Sequence, residues 1–184
     1  MPTRLTIIEG VLAALLVIVL GGYSSAARWY EDWLKEYGPG WHEMAWPFPR
    51  DAFPAGKAWR NGDLRVYVRP KLGFCANCET GVVDDYEVDR VTDLDLIDTK
   101  FVPARDGSAI HITDLKGRAR LYRLKGFDGK PTLAEGIAVN FDCDLVVAVV
   151  VGPKLDDPAV RKPAHDFIEA NTVQVWVNKT LEGR

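Results

Sequence analysis

The chain has little of what usually announces a chemistry. Its 184 residues hold three cysteines, three histidines and two methionines. Three cysteines are too few for a small fold built on disulfides. His42, His111 and His165 share no motif spacing, and none sits beside a serine or carboxylate in a known catalytic order. A glycine-rich phosphate loop, a calcium loop of the EF-hand type, an internal repeat and a low-complexity tract are all missing. There is no excess of positive charge either: 23 Lys and Arg against 26 Asp and Glu give a net charge of −3, which argues against nucleic-acid binding by phosphate neutralisation. An enzyme is therefore disfavoured, and no cofactor and no nucleic-acid partner is expected. What is present, 47% apolar and 27% charged residues, is the balance of a folded chain, with length for one domain and an appendage.

The N-terminus carries the first positive signal. From Leu5 to Tyr23 nineteen residues hold a single charge, Glu9. At about 1.5 Å per helical residue this run approaches the roughly 30 Å thickness of bilayer hydrocarbon. A cleaved signal peptide, cut near Ser24–Ala27, competes with a retained single-pass anchor. The run exceeds the usual signal core, and helix-forming residues continue beyond it with Trp29, Trp33 and Tyr37 at intervals of four, so the anchor is preferred. Lys and Arg nearly tie across the span. A short N-terminus before an uncleaved signal-like helix stays cytoplasmic in bacteria, which puts residues 24–184 in the periplasm, tethered to the inner membrane. Glu9 either reaches back to the headgroups or pairs with a donor on a partner helix, because a carboxylate in hydrocarbon is costly unless satisfied. The segment Leu5-Thr6-Ile7-Ile8-Glu9, with its unbroken apolar continuation, resembles the start of a mature type IV pilin helix. That resemblance implies a glutamate used in subunit packing. It covers about 20 residues, and Arg4 stands where that family has the glycine of its processing site.

Residues 38–59 change character. Gly38-Pro39-Gly40 stops a helix, and the stretch holds four prolines with Trp41, Trp46 and Trp59. Free linkers are rarely so aromatic. The spacing predicts an extended strap lying on a membrane surface, on its own domain or on a partner, with Trp29, Trp33, Trp41 and Trp46 as candidate partner-binding rings alongside Glu9.

From Gly62 the pattern turns to strands. Leu64, Val66 and Val68 alternate on one face, and further strands are expected at 82–91, 94–102, 108–114, 119–125, 133–141 and 144–151. The last of these is apolar on both faces and should be the most buried. Asp157-Pro158 begins a helix with Val160, Ala164, Phe167 and Ile168 on its apolar face and His165 opposite, and Val173–Lys179 alternates as a final strand. The order resembles that of lipocalin-like barrels, which implies an internal ligand cavity; a curved antiparallel sheet with a packed helix fits equally well. Residues 79–98 carry eight acids against one Arg, and 100–130 eight bases against three acids. Acidic and basic strands lying side by side account for this, with a calcium site or a basic patch at Arg118, Arg120, Arg123 and Lys125 as alternatives.

Cys75-Ala-Asn-Cys78 is the one chemical motif, with Cys143 downstream. Glu79 in place of His excludes haem attachment. The motif runs into a strand-like sequence instead of a helix, which weakens a thioredoxin-type redox site. A zinc site would need Cys143 and a distant histidine. A disulfide in an oxidising compartment, either Cys75–Cys78 or one of them with Cys143, fits best.

The expected protein is thus α+β: an N-terminal single transmembrane helix with its interfacial continuation (1–37), an aromatic and proline-rich strap (38–60), and a β-rich antiparallel sheet or barrel-like domain with a C-terminal helix and final strand (61–184). Its expected partners are the bilayer and other membrane-protein subunits, and its expected role is a non-catalytic accessory or assembly subunit. A tethered ligand-binding domain, a pilin-like subunit and a thiol-redox or metal-handling protein are the alternatives.

Overall fold

The computed structural model describes residues 25–30, 40–49, 51–73, 82 and 84–183. The apolar run with Glu9, the segment with Trp33, and both Cys75 and Cys78 lie outside these residues. Among the described residues no helix is long and apolar enough to cross a membrane. The chain divides into two compact units, Met1–His42 and Glu43–Arg184. In the first, residues 25–30 are helical (α1), with Trp29 and Tyr30 exposed.

The second unit is α+β. Eight strands form one antiparallel sheet: β1 (His42–Met44), β2 (Lys57–Asn61), β3 (Leu64–Lys71), β4 (Val102–Pro103), β5 (Ser108–Ile112), β6 (Leu115–Lys125), β7 (Pro131–Phe141) and β8 (Asp144–Gly152). Their order is β1-β2-β3-β8-β7-β6-β4, with β5 also on β6. Among the described residues nothing joins β1 to β4, so the sheet is open and not a closed barrel. Tight turns set the registers. Gly62, at φ +57°, turns β2 into β3, and Asp142, at φ +52°, turns β7 into β8.

Both faces of the sheet are covered, which is why β8 is buried at every position, as its doubly apolar sequence predicts. One face packs on α3 (Pro158–Ile168) and α4 (Asn171–Glu182), with Val68, Ile137 and Val146 against Ile168, Val173 and Val177. The other face holds the main core. There Tyr67, Tyr122, Val147 and Val149 meet Phe48 of the strap and Val88, Val91 and Leu94 of the β3–β4 connection.

That connection corrects two expected strands. Residues 82–91 and 94–102 are not strands; they hold α2 (Asp85–Val91) and a 3-10 turn (Asp93–Leu96), with only Val102–Pro103 pairing as β4. Asp84 caps α2 by accepting from the Glu87 amide, while the Glu87 carboxylate accepts from the Asp84 amide. Asp85 and Glu87, which alternate as on a solvated strand face, stand instead in the first turn of this helix, and Asp89, further along it, accepts from Arg120 of β6. The expected final strand at 173–179 is likewise a helix, α4. Its alternation of valines conceals a second spacing, for Val173, Val177 and Leu181 stand four apart and all three are buried. The helix from Asp157 is present as expected, with the Asp157 carboxylate accepting from the Ala159 amide at 2.8 Å.

The helical register of α4 has a mutational signature. Val177→Ala should cost about 2 kcal/mol in urea denaturation for two buried methyl groups and their cavity. Val175→Ala, on the exposed side, should change stability by less than about 0.5 kcal/mol. Equal losses at both positions would mean that the segment packs as a strand.

Candidate functional site

Strand β3 sets up the chemistry of the strap-covered face. Its alternate residues Arg65, Tyr67, Arg69 and Lys71 point to that face, and the last three are buried. Arg69 and Lys71 cannot shed their charge to bulk water, so the surroundings must supply partners. Asp93, itself buried, lies 2.7 Å from the Lys71 ammonium and 3.6 Å from the Arg69 guanidinium. The Lys71 ammonium also donates to the Val91 carbonyl at 2.6 Å. Arg69 reaches the strap: its Nε donates to the Pro54 carbonyl at 3.1 Å, and its Nη2 pairs with Asp51. The hydrogen bond from Arg69 holds the Asp51 carboxyl below the usual carboxylate range. Trp46 and Phe53 lie over the guanidinium at 5.9 and 5.4 Å.

Aromatic packing continues along the strap. Trp46 meets Phe48 edge-on at 4.8 Å, and Phe48 meets Tyr67 at 5.2 Å. Gly56 is the point of closest approach, where a β-carbon would run into the Trp46 ring and the Val68 carbonyl. Trp46 therefore packs on its own domain. Trp59, on β2, packs on the opposite layer against Phe167 and Trp176 at 5.2 and 6.0 Å. Trp41 is half-buried and Trp29 exposed.

Beside the strap the sheet face opens into a groove of about 660 Å3. Its floor is Tyr67 and Val151, one wall is Met44 and Pro47, and the other is the β6–β7 turn with Phe127 and Lys130. Phe127 leans on Phe48 and Tyr67, at 5.8 and 6.4 Å, yet remains 57% exposed. Tyr67 is 3% exposed, and its hydroxyl oxygen is itself buried, with no hydrogen-bond partner among the described residues. Burial pushes the pKa of that hydroxyl up, and the Arg65 charge pulls it partly back. Sequence patterning missed Arg65 and Tyr67, because alternation on β3 cannot say that both of its faces are covered, and Phe127, because a turn residue belongs to no strand or helix pattern.

The charge segregation is structural in its main part. Asp85 and Asp89 on α2 dock on β6. Arg118 donates to Asp85 at 2.5 Å, Arg120 to Asp89 at 2.8 Å, and the Tyr122 hydroxyl to Asp89 at 2.6 Å. The Gly107 amide, first, and Arg118 hold the Asp85 carboxyl below its ordinary value. Among the described residues no three acids, histidines or cysteines converge on a metal position.

The remaining candidates are dispersed. His111 is exposed on β5. His165 does not simply face away from the core: its Nε2 is 2.6 Å from the buried Glu135 carboxylate, which Arg161 approaches at 3.6 Å. Cys143, in the β7–β8 turn, is disulfide-bonded. The ends of the segment carrying Cys75 and Cys78 are fixed at that same turn, for the Gly73 amide donates to Asp144 at 2.7 Å and the Val82 amide to Asn140 at 3.1 Å. Between the sheet and the helices the cavity measures only about 10 Å3, room for at most one water. No known family model matches the chain, and no curated protein sequence matches it.

Asp93→Ala should destabilise the domain by about 3–5 kcal/mol in urea denaturation followed by tryptophan fluorescence, since it leaves two buried cations without their shared partner. Asp166→Ala, which breaks the exposed pair with Lys162, should cost less than about 0.5 kcal/mol. Comparable losses would show that Asp93 does not compensate buried charge.

Proposed function

We propose that the protein is a non-catalytic accessory or assembly subunit, held in the bacterial inner membrane by the apolar run at residues 5–23, with its sheet domain in the periplasm, docking on a larger membrane complex. The observation that carries this reading is the closed interior of the domain. Its sheet-to-helix cavity takes one water at most, whereas a lipocalin-like carrier needs an enclosed apolar cavity of several hundred Å3. The accessible apolar surface lies outside, in the open groove, where a macromolecular partner can reach it. The disulfide at Cys143 supports the periplasmic assignment, because such bonds persist in oxidising compartments.

Native membranes extracted in mild detergent, with the chain tagged at its C-terminus, provide the test. Recovery in a defined large particle with at least one other polypeptide is expected. Recovery as a lone chain in its micelle would overturn the accessory-subunit reading. Compartment is tested separately by thiol counting. Alkylation of the denatured, unreduced protein from native membranes should label one cysteine, rising to three after reduction. Three labelled thiols before reduction would place the domain in a reducing compartment.

A further inference from the structure

We infer that the outer edge of β5 is a docking edge, where an acidic extended segment of a partner polypeptide adds a strand to the sheet. This rests on the accessory-subunit reading and gives it a contact surface. The edges of the sheet carry the first observation. β1 is three residues long, and β4 is two residues long and contains Pro103, so both are poor templates for a further strand. β5 has five residues with no proline and no lysine, and its Ser108, Ala109 and His111 are exposed. Among the described residues its only strand neighbour is β6. The two-residue turn at Thr113 and Asp114 closes on Ile112 opposite Leu115 as a hydrogen-bonded pair, and alternation makes Ile110 and Ser108 the next ones. The N–H and C=O of Ala109 and His111 therefore point away from β6. Gly107 belongs to the same set, and its amide and carbonyl go to Asp85 and Arg118 instead of to the β6 backbone. Outward donors and acceptors in strand spacing are matched by another extended backbone, not by a lipid or a nucleic acid.

The second observation is charge, and it selects the segment. Ala109 stands opposite Arg118 and His111 opposite Lys116, so these side chains share the sheet face that carries α2. That face forms a trough of about 250 Å3 over β5, β6 and Asn140 of β7. Its lining includes His111, Lys116 and Arg118 but no acid. Arg118 is tied to Asp85, whereas Lys116 meets no acid among the described residues. A strand added at β5 lies about 4.8 Å from it and sends alternate side chains over this face. An Asp or Glu there meets the His111 ring beside it and the Lys116 ammonium, whose long side chain spans the next strand spacing. A second copy of the chain docked edge to edge would bring another His111 and Lys116 to the same region. Like charges thus disfavour a dimer through β5 and favour an acidic partner.

The test uses the full-length tagged chain in native membranes. Ala109→Pro removes one outward N–H and puts a ring where the added strand would lie, while the ladder to β6 keeps its bonds. Lys116→Glu reverses the unpaired charge, and Lys116→Arg preserves it. Ala109→Pro and Lys116→Glu should each lower recovery of the co-purifying polypeptide at least about fivefold, the worth of one hydrogen bond. Lys116→Arg should retain it, and all three should keep the melting temperature within about 3 °C. If Ala109→Pro proves less stable than that, the two Lys116 variants and the crosslink decide. For the crosslink, a benzophenone side chain is placed at position 111 and, as a control, at the exposed position 175 on α4. Crosslinking is expected at 111 and not at 175, to the co-purifying polypeptide, within a segment where Asp and Glu outnumber Lys and Arg. Crosslinks only to lipid or to a second copy of this chain would overturn the inference, as would a neutral or basic segment or unchanged recovery with Lys116→Glu. In those cases a polypeptide that still co-purifies leaves the accessory-subunit reading standing. If none co-purifies, both fall.

Discussion

One carboxylate organises the strap-covered face of the domain. Strand β3 buries two cations, and Asp93 is shared between them, at 2.7 Å from Lys71 and 3.6 Å from Arg69. Taking an arginine and a lysine out of water costs several kcal/mol each unless they are paired. The 3-10 turn that carries Asp93 must therefore lie where it does, across β7 and β8. Arg69 keeps further donors for Asp51 and the Pro54 carbonyl, so the same cation that needs Asp93 also holds down the strap. Once the strap is down, Trp46 and Phe48 are fixed over Tyr67, and Phe127 from the opposite turn has a surface to lean on. The groove is bounded by parts that depend on this pairing.

The strands on either side of tight turns were legible in the sequence, because alternation and turn residues are local signals. The β6–β7 and β7–β8 hairpins lie where Asp128-Gly129 and Asp142 permit, whereas β2, which pairs with β3 across Gly62, falls where an extended strap was expected. Two segments misled. In Asp84–Val91 the acids alternate as on a solvated strand, but the reciprocal capping bonds between Asp84 and Glu87 start a helix instead. In α4 the valines favour a strand locally, yet burial of Val173, Val177 and Leu181 against the sheet decides for helix. Each is a case of tertiary packing or side-chain capping overriding a period-two pattern.

Of the candidate site, least was legible where charge is buried. Arg65, Tyr67, Arg69 and Lys71 read as the polar side of an amphipathic strand, the usual meaning of that pattern. Their true setting depends on the strap and on Asp93, which are far away in sequence. The acidic and basic blocks were more informative. Acids on α2 meet arginines on β6, so complementary charge does lie side by side, although a helix supplies one partner. Tyr122 donates to Asp89 within this arrangement, and burial with that bond pushes its pKa well above the ordinary value. These ions are spent on holding α2, which leaves the groove without a net charge of its own.

Strand register explains where the sheet stays uncovered. The start of β3, the end of β8 and the start of β7 lie level, with Arg65 opposite Val151 and Leu133 opposite Gly152. The ties of α2, through Asp85 to Arg118 and Asp89 to Arg120, lie toward the other end of β6, where Arg118 is opposite Ala138. The strap, pinned by Arg69, covers the middle of β3. Neither cover extends to the Arg65 end, and the short β6–β7 turn reaches over it with one ring only. Phe127 at this lip stays 57% exposed, in company with Tyr86, Val102 and Val175 elsewhere on the domain. The groove is therefore the place where register and cover leave the sheet unsealed, bounded by the strap on one side and by the β6–β7 turn on the other.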